Sequence, residues 1–380
     1  MEERREIILK YTDRGMKVSK AVQLAGMSRS SYYYLSRHGN PGKKPSTSSQ
    51  MMNGKELSNE EIIFLITELL KLDFVDYGYI KVTHWLNQLG VIINKKKVYR
   101  LMRENGLLNR FQKKSPARNF VKFTKALPSR PFEILEMDIK YIYVHGTGQN
   151  ALLLSVIDTF TRKNLAWLCK YSIKKNDVKV LIDNLVLNHL QDYDLVNQDI
   201  IVTIRSDNGS QFISRMVREY LRDNFIIQEF TRPATPQQNG HIESFHSIIS
   251  RLVSEKFEFE GLKHLNQILE AFFDFYNNRR IHSGICYLTP DIFQWAWEND
   301  LVEVNQNEKN IHKRVMLKNL PVNIVYKYNL TKFGKSSEAE TGSAGEQPVR
   351  NSLMDLNNEG EFPLPLNFKR LFLSNMPKKT

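Results

Sequence analysis

Between Pro131 and Tyr171 the apolar pattern changes period, and that change limits the fold more than any other feature of the chain. EMDIKYIYV alternates from Met137 onward, ALLLSVIDTFTR is almost continuously apolar, and NLAWLCKY forms a third run, which together predict an antiparallel meander. A helix-like stretch, NDVKVLIDNLVLNHL, comes next. It is followed by the short strand IIVTI running into RSDNGSQF, the helix SRMVREYLRDN, the strand IIQEF, and a helix through GHIESFHSII. Three strands followed by helix-strand units predict an α/β core of about 150 residues, a mixed sheet with helices on both sides.

Upstream of this core the period is helical. Residues 16–37 read as a helix, a break at Gly26 and a second helix capped by Ser28. That is helix-turn-helix spacing, with Arg29, Ser30 and Ser31 opening the helix that would enter a major groove. Residues 37–57, rich in Gly, Pro, Ser and Lys, read as a flexible linker. A second helical module starts at Ser58, which with Glu61 spells a capping box ahead of Ile62, Ile63, Leu65, Ile66, Leu69 and Leu70. Asn94 then caps NKKKVYRLMRENG, a helix with Val98, Leu101 and Met102 on one face and Gly106 as its stop. Lys95, Lys96 and Lys97 crowd its first turn, where the helix dipole disfavours cations, a placement suited to phosphate contact. The resulting division is 1–50 for the helix-turn-helix and linker, 51–114 for the second helical module and 115–130 for a basic linker. The α/β core takes 131–295, and 296–380 is a C-terminal extension, disordered in part from about Lys335.

Charge separates these regions. Of the formal net +13, residues 81–130 hold 13 Lys and Arg, among them Arg100, Lys113 and Lys114, against the single acid Glu104. Such a block is the footprint of a polyanion, with double-stranded DNA the natural partner. Residues 131–270 carry 15 basic and 18 acidic side chains, so positive charge at any site there has to come from elsewhere. No apolar run is long enough for a membrane span, and MEERREIILK does not read as a signal peptide, which predicts a cytoplasmic, nucleoid-associated protein. Cys169 and Cys286 are too few for a disulfide framework or a structural zinc site.

Three acids stand out against this frame. Asp138 is mid-strand among apolar and aromatic neighbours. Asp207 directly follows IIVTI, at a strand's carboxyl end, where open α/β sheets bind ligands. On the last helix Ile242, Phe245, Ile249 and Leu252 would face the sheet, which puts Glu243 at the margin of the buried face. Three oxygen donors suit a hard cation such as Mg²⁺, and a pair of such ions would serve displacement at a phosphodiester. Asp158 is a fourth acid, read as structural. His241 and His246 form no zinc-type set and are expected to meet solvent or DNA.

Asp138, Asp207 and Glu243, with 35 residues between the last two, resemble the DDE triad of the insertion-sequence transposases whose core is like that of retroviral integrases, a branch of the RNase H-like superfamily. VIDTFTR at 156–162, SDNGSQF at 206–212, RPATPQQNGHIESF at 232–245 and YNNRRIHSGICYLTPDIF at 276–293 carry the likeness further. In the last of these, Tyr276, Asn277, Arg280, His282, Thr289 and Pro290 stand where the family's terminal signature has them. Upstream, GMSRSSYYYLSR, YGYIKVTHWLNQLG and NKKKVYRLMRENGLL are similar to the downstream-frame product of elements encoded in two overlapping frames. The resemblance covers about residues 16–295.

The resemblance implies an RNase H-like core behind helical DNA-binding modules, and metal-dependent cleavage and joining of DNA strands at the element's ends. It implies two Mg²⁺ ions, with Mn²⁺ able to substitute, held by Asp138, Asp207 and Glu243. It also implies a homo-oligomer that brings two ends together, and an upstream-frame protein as a further partner. DNA contacts are expected from the basic residues named above and from Lys140, Asn239 and Arg251. Two positions depart from the family pattern. Ser250 stands where Lys or Arg is usual, with Arg251 about 100° further around the helix. Lys140 stands where Thr is usual, on Asp138's face of the strand. A nuclease that cuts without joining, or a DNA-binding repressor descended from a transposase, are the competing readings.

Overall fold

The computed structural model describes residues 2–37, 45–109, 128–191, 200–231, 239–305 and 314–333. The chain divides into two units, Met1–Ser48 and Ser49–Thr380. In the first, α1 (Glu2–Thr12) packs its one buried apolar side chain, Ile8, against Ala21 and Val22 of α2 (Val18–Leu24). Gly26, at φ +61°, lets the chain turn into α3 (Arg29–Arg37), and Ser28 Oγ accepts the Ser31 N–H at 3.1 Å, the cap read from the sequence. The helix α1 went unread because EERREIILKYT has no apolar stripe. Packing by Ile8 and a 3.1 Å bond from Arg4 Nη1 to the Gly26 carbonyl hold it in place.

The second unit opens with a correction. Residues 48–58, expected as the end of a flexible linker, form a hairpin of β1 (Ser48–Gln50) and β2 (Glu56–Ser58). Three helices follow, α4 (Asn59–Lys71), α5 (Tyr79–Gln88) and α6 (Lys95–Glu104). Both halves of the Ser58–Glu61 capping box are present, at 3.2 and 2.7 Å, and Asn94 Oδ1 accepts the Lys97 N–H at 3.0 Å. Expected as a module of their own, these helices share an apolar core with the residues downstream. Ile62, Ile66, Val82, Leu86 and Met102 belong to the same buried cluster as Ile242, Phe245, Phe272 and Ile281. The loop between α4 and α5 forms the join. Phe74 packs on Phe257, Phe272 and Phe275, with ring centroids 5.5 to 5.8 Å away. Tyr77 Oη donates to the Arg279 carbonyl and accepts the Ile281 N–H.

The central sheet is built as the sequence pattern predicts. An antiparallel meander of β3 (Ile134–Val144), β4 (Gln149–Asp158) and β5 (Asn164–Lys170) leads through α7 (Lys175–Leu185) to β6 (Thr203–Ser206), then through α8 (Arg215–Asp223) to β7 (Ile227–Phe230). The order is β5-β4-β3-β6-β7, with β6 parallel to β3 and β7 parallel to β6. After it come α9 (Gly240–Ile249), continued by a π-helical turn over Ser250–Ser254, then α10 (Leu262–Asn278) and α11 (Pro290–Glu298). On β3, Leu135 and Met137 face the side covered by Val178 and Leu181 of α7 and Val217 of α8. Ile142 and Val144 face the side covered by α9 and α10. This is the α/β mixed sheet with flanking helices expected from the sequence, preceded by helical modules.

The segment after residue 296 was expected only as an extension. In the structure β8 (Val302–Asn305), β9 (Arg314–Leu317) and α12 (Pro321–Phe333) follow α11. Here Val302 and Ile324 complete a third core around Phe160, Ile285, Leu288 and Phe293. The stretch 334–380, including the tail expected to be disordered, lies outside the described residues.

Candidate active site

One face of β3 carries Glu136, Asp138 and Lys140 in succession, and α9 lies over that face. Glu136 Oε2 accepts the N–H groups of Ile242 at 2.7 Å and His241 at 3.1 Å. His246 Nδ1 stands 3.5 Å from Asp138 Oδ2, and Lys140 Nζ donates to Ser250 Oγ at 2.7 Å. Two residues of strand advance about 6.8 Å and four of helix about 6 Å, so strand rungs at 136, 138 and 140 meet helix rungs at 242, 246 and 250 nearly in step. Beneath this polar ladder Ile242, Phe245, Ile249 and Leu252 are fully buried, as the helix pattern predicts, and Glu243 is left exposed beside the seam. Asp207 is exposed directly after β6, with its Oδ1 accepting the Gly209 N–H at 3.0 Å.

Electrostatics tie the three acids together. Burial pushes the Asp138 carboxyl up to about 6, and the negative charges of Asp207 and Glu243 push the same way, against the Ile139 N–H and Lys140. Partial burial raises Glu243 as well. Mutual repulsion among hard oxygen donors is the condition that a divalent cation relieves, so the donor chemistry fits Mg²⁺ or Mn²⁺. Two buried polar atoms nearby, Ser155 Oγ on the residue paired with Asp138 and Asn239 Oδ1 before α9, have no hydrogen-bond partner among the described residues. Among those residues no three His, Cys, Asp or Glu side chains are drawn together closely enough to hold a metal ion.

The other expected contacts divide. Arg29, Ser30, Lys95 and Lys96 are exposed, while Ser31 gives its N–H to Ser28. Lys97 donates to Ser49 Oγ of the hairpin at 2.9 Å, and Arg100 lies 3.6 Å from Glu104. Arg251 is engaged by Asp76 at 2.6 Å, and Asn239 is buried. Lys113 and Lys114 lie outside the described residues, as do residues 232–238 of the loop before Glu243. His246, expected to meet solvent or DNA, is instead tucked against Asp138. Burial, with Lys140 nearby, pushes its imidazole down to about 3 and so keeps it neutral. His241 bonds to the Arg162 guanidinium. Asp158 is structural: fully buried, it accepts the N–H groups of Phe160 and Thr161 and the Thr161 hydroxyl. Glu136 was missed. Its one signal was an acid two residues before Asp138, on the same strand face.

Residues 128–236 and 225–290 match two Integrase core domain families, and residues 58–115 match an HTH-like domain. An uncharacterized 31.7 kDa protein of insertion element IS407 from Burkholderia multivorans is 25% identical over 276 residues, 72% of this chain and 89% of that protein. The transposase of insertion sequence element IS904 from Lactococcus lactis is 26% identical over 247 residues, 60% of this chain and 93% of that one. The chain is thus similar to the integrase-core transposases of insertion sequences. A chain of the simian T-cell lymphotropic virus intasome superposes with a TM-score of 0.36 at 13% identity, covering 62% of this chain and 73% of its own length.

In this chain the residues of the terminal signature are architectural. Asn277 both accepts from and donates to the backbone of Asn164, at 2.9 and 2.8 Å, which fastens α10 to the start of β5. Arg280, 2% exposed, donates to Asp76 at 2.8 Å, and Thr289 caps α11 with Pro290 in its first turn. No helix among the described residues is long and apolar enough to cross a membrane.

Proposed function

We propose that this chain binds the ends of an insertion sequence in double-stranded DNA and cuts and joins strands there, with Asp138, Asp207 and Glu243 as its metal-holding carboxylates. The observation that carries the reading is the convergence of charge. The charges of Asp207, at the end of the adjacent parallel strand, and of Glu243, on the helix laddered to β3, both act on Asp138 of β3. When bound by these carboxylates, a pair of Mg²⁺ ions, or Mn²⁺ in their place, would polarise the attacking and leaving oxygens of an in-line displacement.

The chain's own residues do the rest. The Ile139 N–H, 2.8 Å from Asp138 Oδ1, orients that carboxylate, and neutral His246 covers its other side without competing as a cation. Lys140, held by Ser250 Oγ, sets one positive charge on the strand face of Asp138 and is suited to a DNA phosphate. Lys95, Lys96, Arg29 and Ser30 would meet the backbone further along the duplex, with Arg100, Lys113, Lys114 and Asn239 as further contacts. Arg251 could join them only on leaving Asp76. Two ends must meet for joining, so the working form is a homo-oligomer, and an upstream-frame protein is a further partner.

The test uses DNA carrying the element's terminal repeats, purified protein and Mg²⁺, read on a denaturing gel for nicked and joined strands, with Asp207→Ala alongside. Joined products that vanish in the variant and without metal are expected. Nicks without joining would favour a nuclease, and binding without cleavage would favour a repressor.

A further inference from the structure

The helix α9 begins without a cap of its own. Asn239, at its N-cap position, makes no side-chain bond to the first turn, although the opening N–H groups of a helix have no partners within it. Glu136, 1% exposed on β3, supplies the missing acceptor: one carboxylate oxygen takes the N–H groups of both His241 and Ile242. An anionic acceptor is well matched to the positive end of the helix dipole. It also stands two residues from Asp138 along the strand, and Ile242, which it holds, immediately precedes Glu243. Lower rungs of the ladder join side chain to side chain, whereas this one grips backbone and so sets where the helix starts.

We infer that Glu136 is a positioning residue that ties the start of α9 to β3 and thereby sets the distance between Asp138 and Glu243. The inference rests on the proposed reading of those two residues as metal-holding carboxylates. Glu136 itself touches neither metal nor DNA. What matters is an acceptor oxygen at the end of a side chain of this length. An amide of the same length can replace it, whereas a shorter carboxylate cannot.

The test compares Glu136→Gln, Glu136→Asp and Glu136→Ala in the full chain. It measures hydrogen exchange at the His241 and Ile242 amides, and Mn²⁺ affinity by paramagnetic relaxation of water protons. Losing the acceptor should speed exchange at those two amides about tenfold and weaken Mn²⁺ by a similar factor in the Ala and Asp variants, as expected when a buried donor loses its partner. Glu136→Gln should stay within about twofold of the parent on both counts, since its carbonyl accepts the same two bonds. If Glu136→Ala does not fold, the contrast between Gln and Asp decides. Unchanged exchange and Mn²⁺ affinity in the Asp variant, or a Gln variant as impaired as Asp, would overturn the inference. Mn²⁺ binding that survives Asp207→Ala would instead remove the carboxylate reading, while exchange at α9 would still judge the tie.

Discussion

Asp76 shows how much one carboxylate can join. It pairs with Arg280 at 2.8 Å and Arg251 at 2.6 Å, partners 204 and 175 residues away in sequence. Burial works to raise its carboxyl, but Arg280, Arg251 and Lys81 outweigh it and hold it down at about 2, against an ordinary 3.8. The folded pKa lies below the unfolded one, so this stabilisation is complete above the unfolded value and is lost as pH falls through the folded one. It is worth on the order of 2 kcal/mol. Urea unfolding of the parent and Asp76→Asn should show a stability gap at pH 5 that narrows by about that amount near pH 2. A constant gap would mean that the pairs contribute nothing through charge. Contacts of this range leave no local trace, which is why the sequence showed Ser28, Ser58 and Asn94 at helix starts but not Asp76. The caps are written within four residues of the donors they satisfy. Replacing Asn94 by Ala should cost about 1 kcal/mol in the same assay.

Among elements, those with an apolar run or period of their own were legible, down to the four-residue strands β6 and β7, and those without one were not. The strands β3, β4 and β5 announce themselves by alternation or by an unbroken apolar run, and the apolar stripe on α9 placed Glu243 at its margin. The hairpin SSQ and ELS has no strand signal; it forms because Gln50 and Met52 bond to the backbone between α5 and α6. Similarly VEVN and RVML become strands through their partnership and the core beneath them. In the turn from β3 to β4, Gly146 is fixed by a close approach. A Cβ on Gly146 would lie 2.0 Å from the Glu260 carbonyl oxygen, while its N–H donates to Phe259 at 2.9 Å. Gly146→Ala should therefore cost more than about 2 kcal/mol and lower the thermal midpoint, the usual outcome of backbone overpacking. A variant as stable as the parent would show that the turn and the 255–261 segment can part freely.

At the scale of the whole molecule, residues 110–127 of the basic block read from the sequence lie outside the described residues, but its part on α6 is described. The exposed lysines of α6 belong to the basic block, and the three acids belong to the core. If α6 contacts phosphates, Lys95→Ala with Lys96→Ala should flatten the dependence of log affinity on log salt by about 2 for duplex DNA, since each phosphate contact contributes about 0.9. An unchanged slope would leave those lysines as solvated surface. What the sequence did not disclose is that α4 to α6 share a core with the integrase domain, because an apolar residue on a helix face does not name the surface it will meet.

The wedge of Phe74, Asp76 and Tyr77 turns that shared core into a ruler. Helices braced this firmly against the sheet cannot slide relative to Asp138 and Asp207, so under the proposed function the number of base pairs between an α6 phosphate contact and the bond to be cut would be a constant of the protein. The cut site would then be found by counting from that contact, and the terminal repeats of the element would have to keep that count.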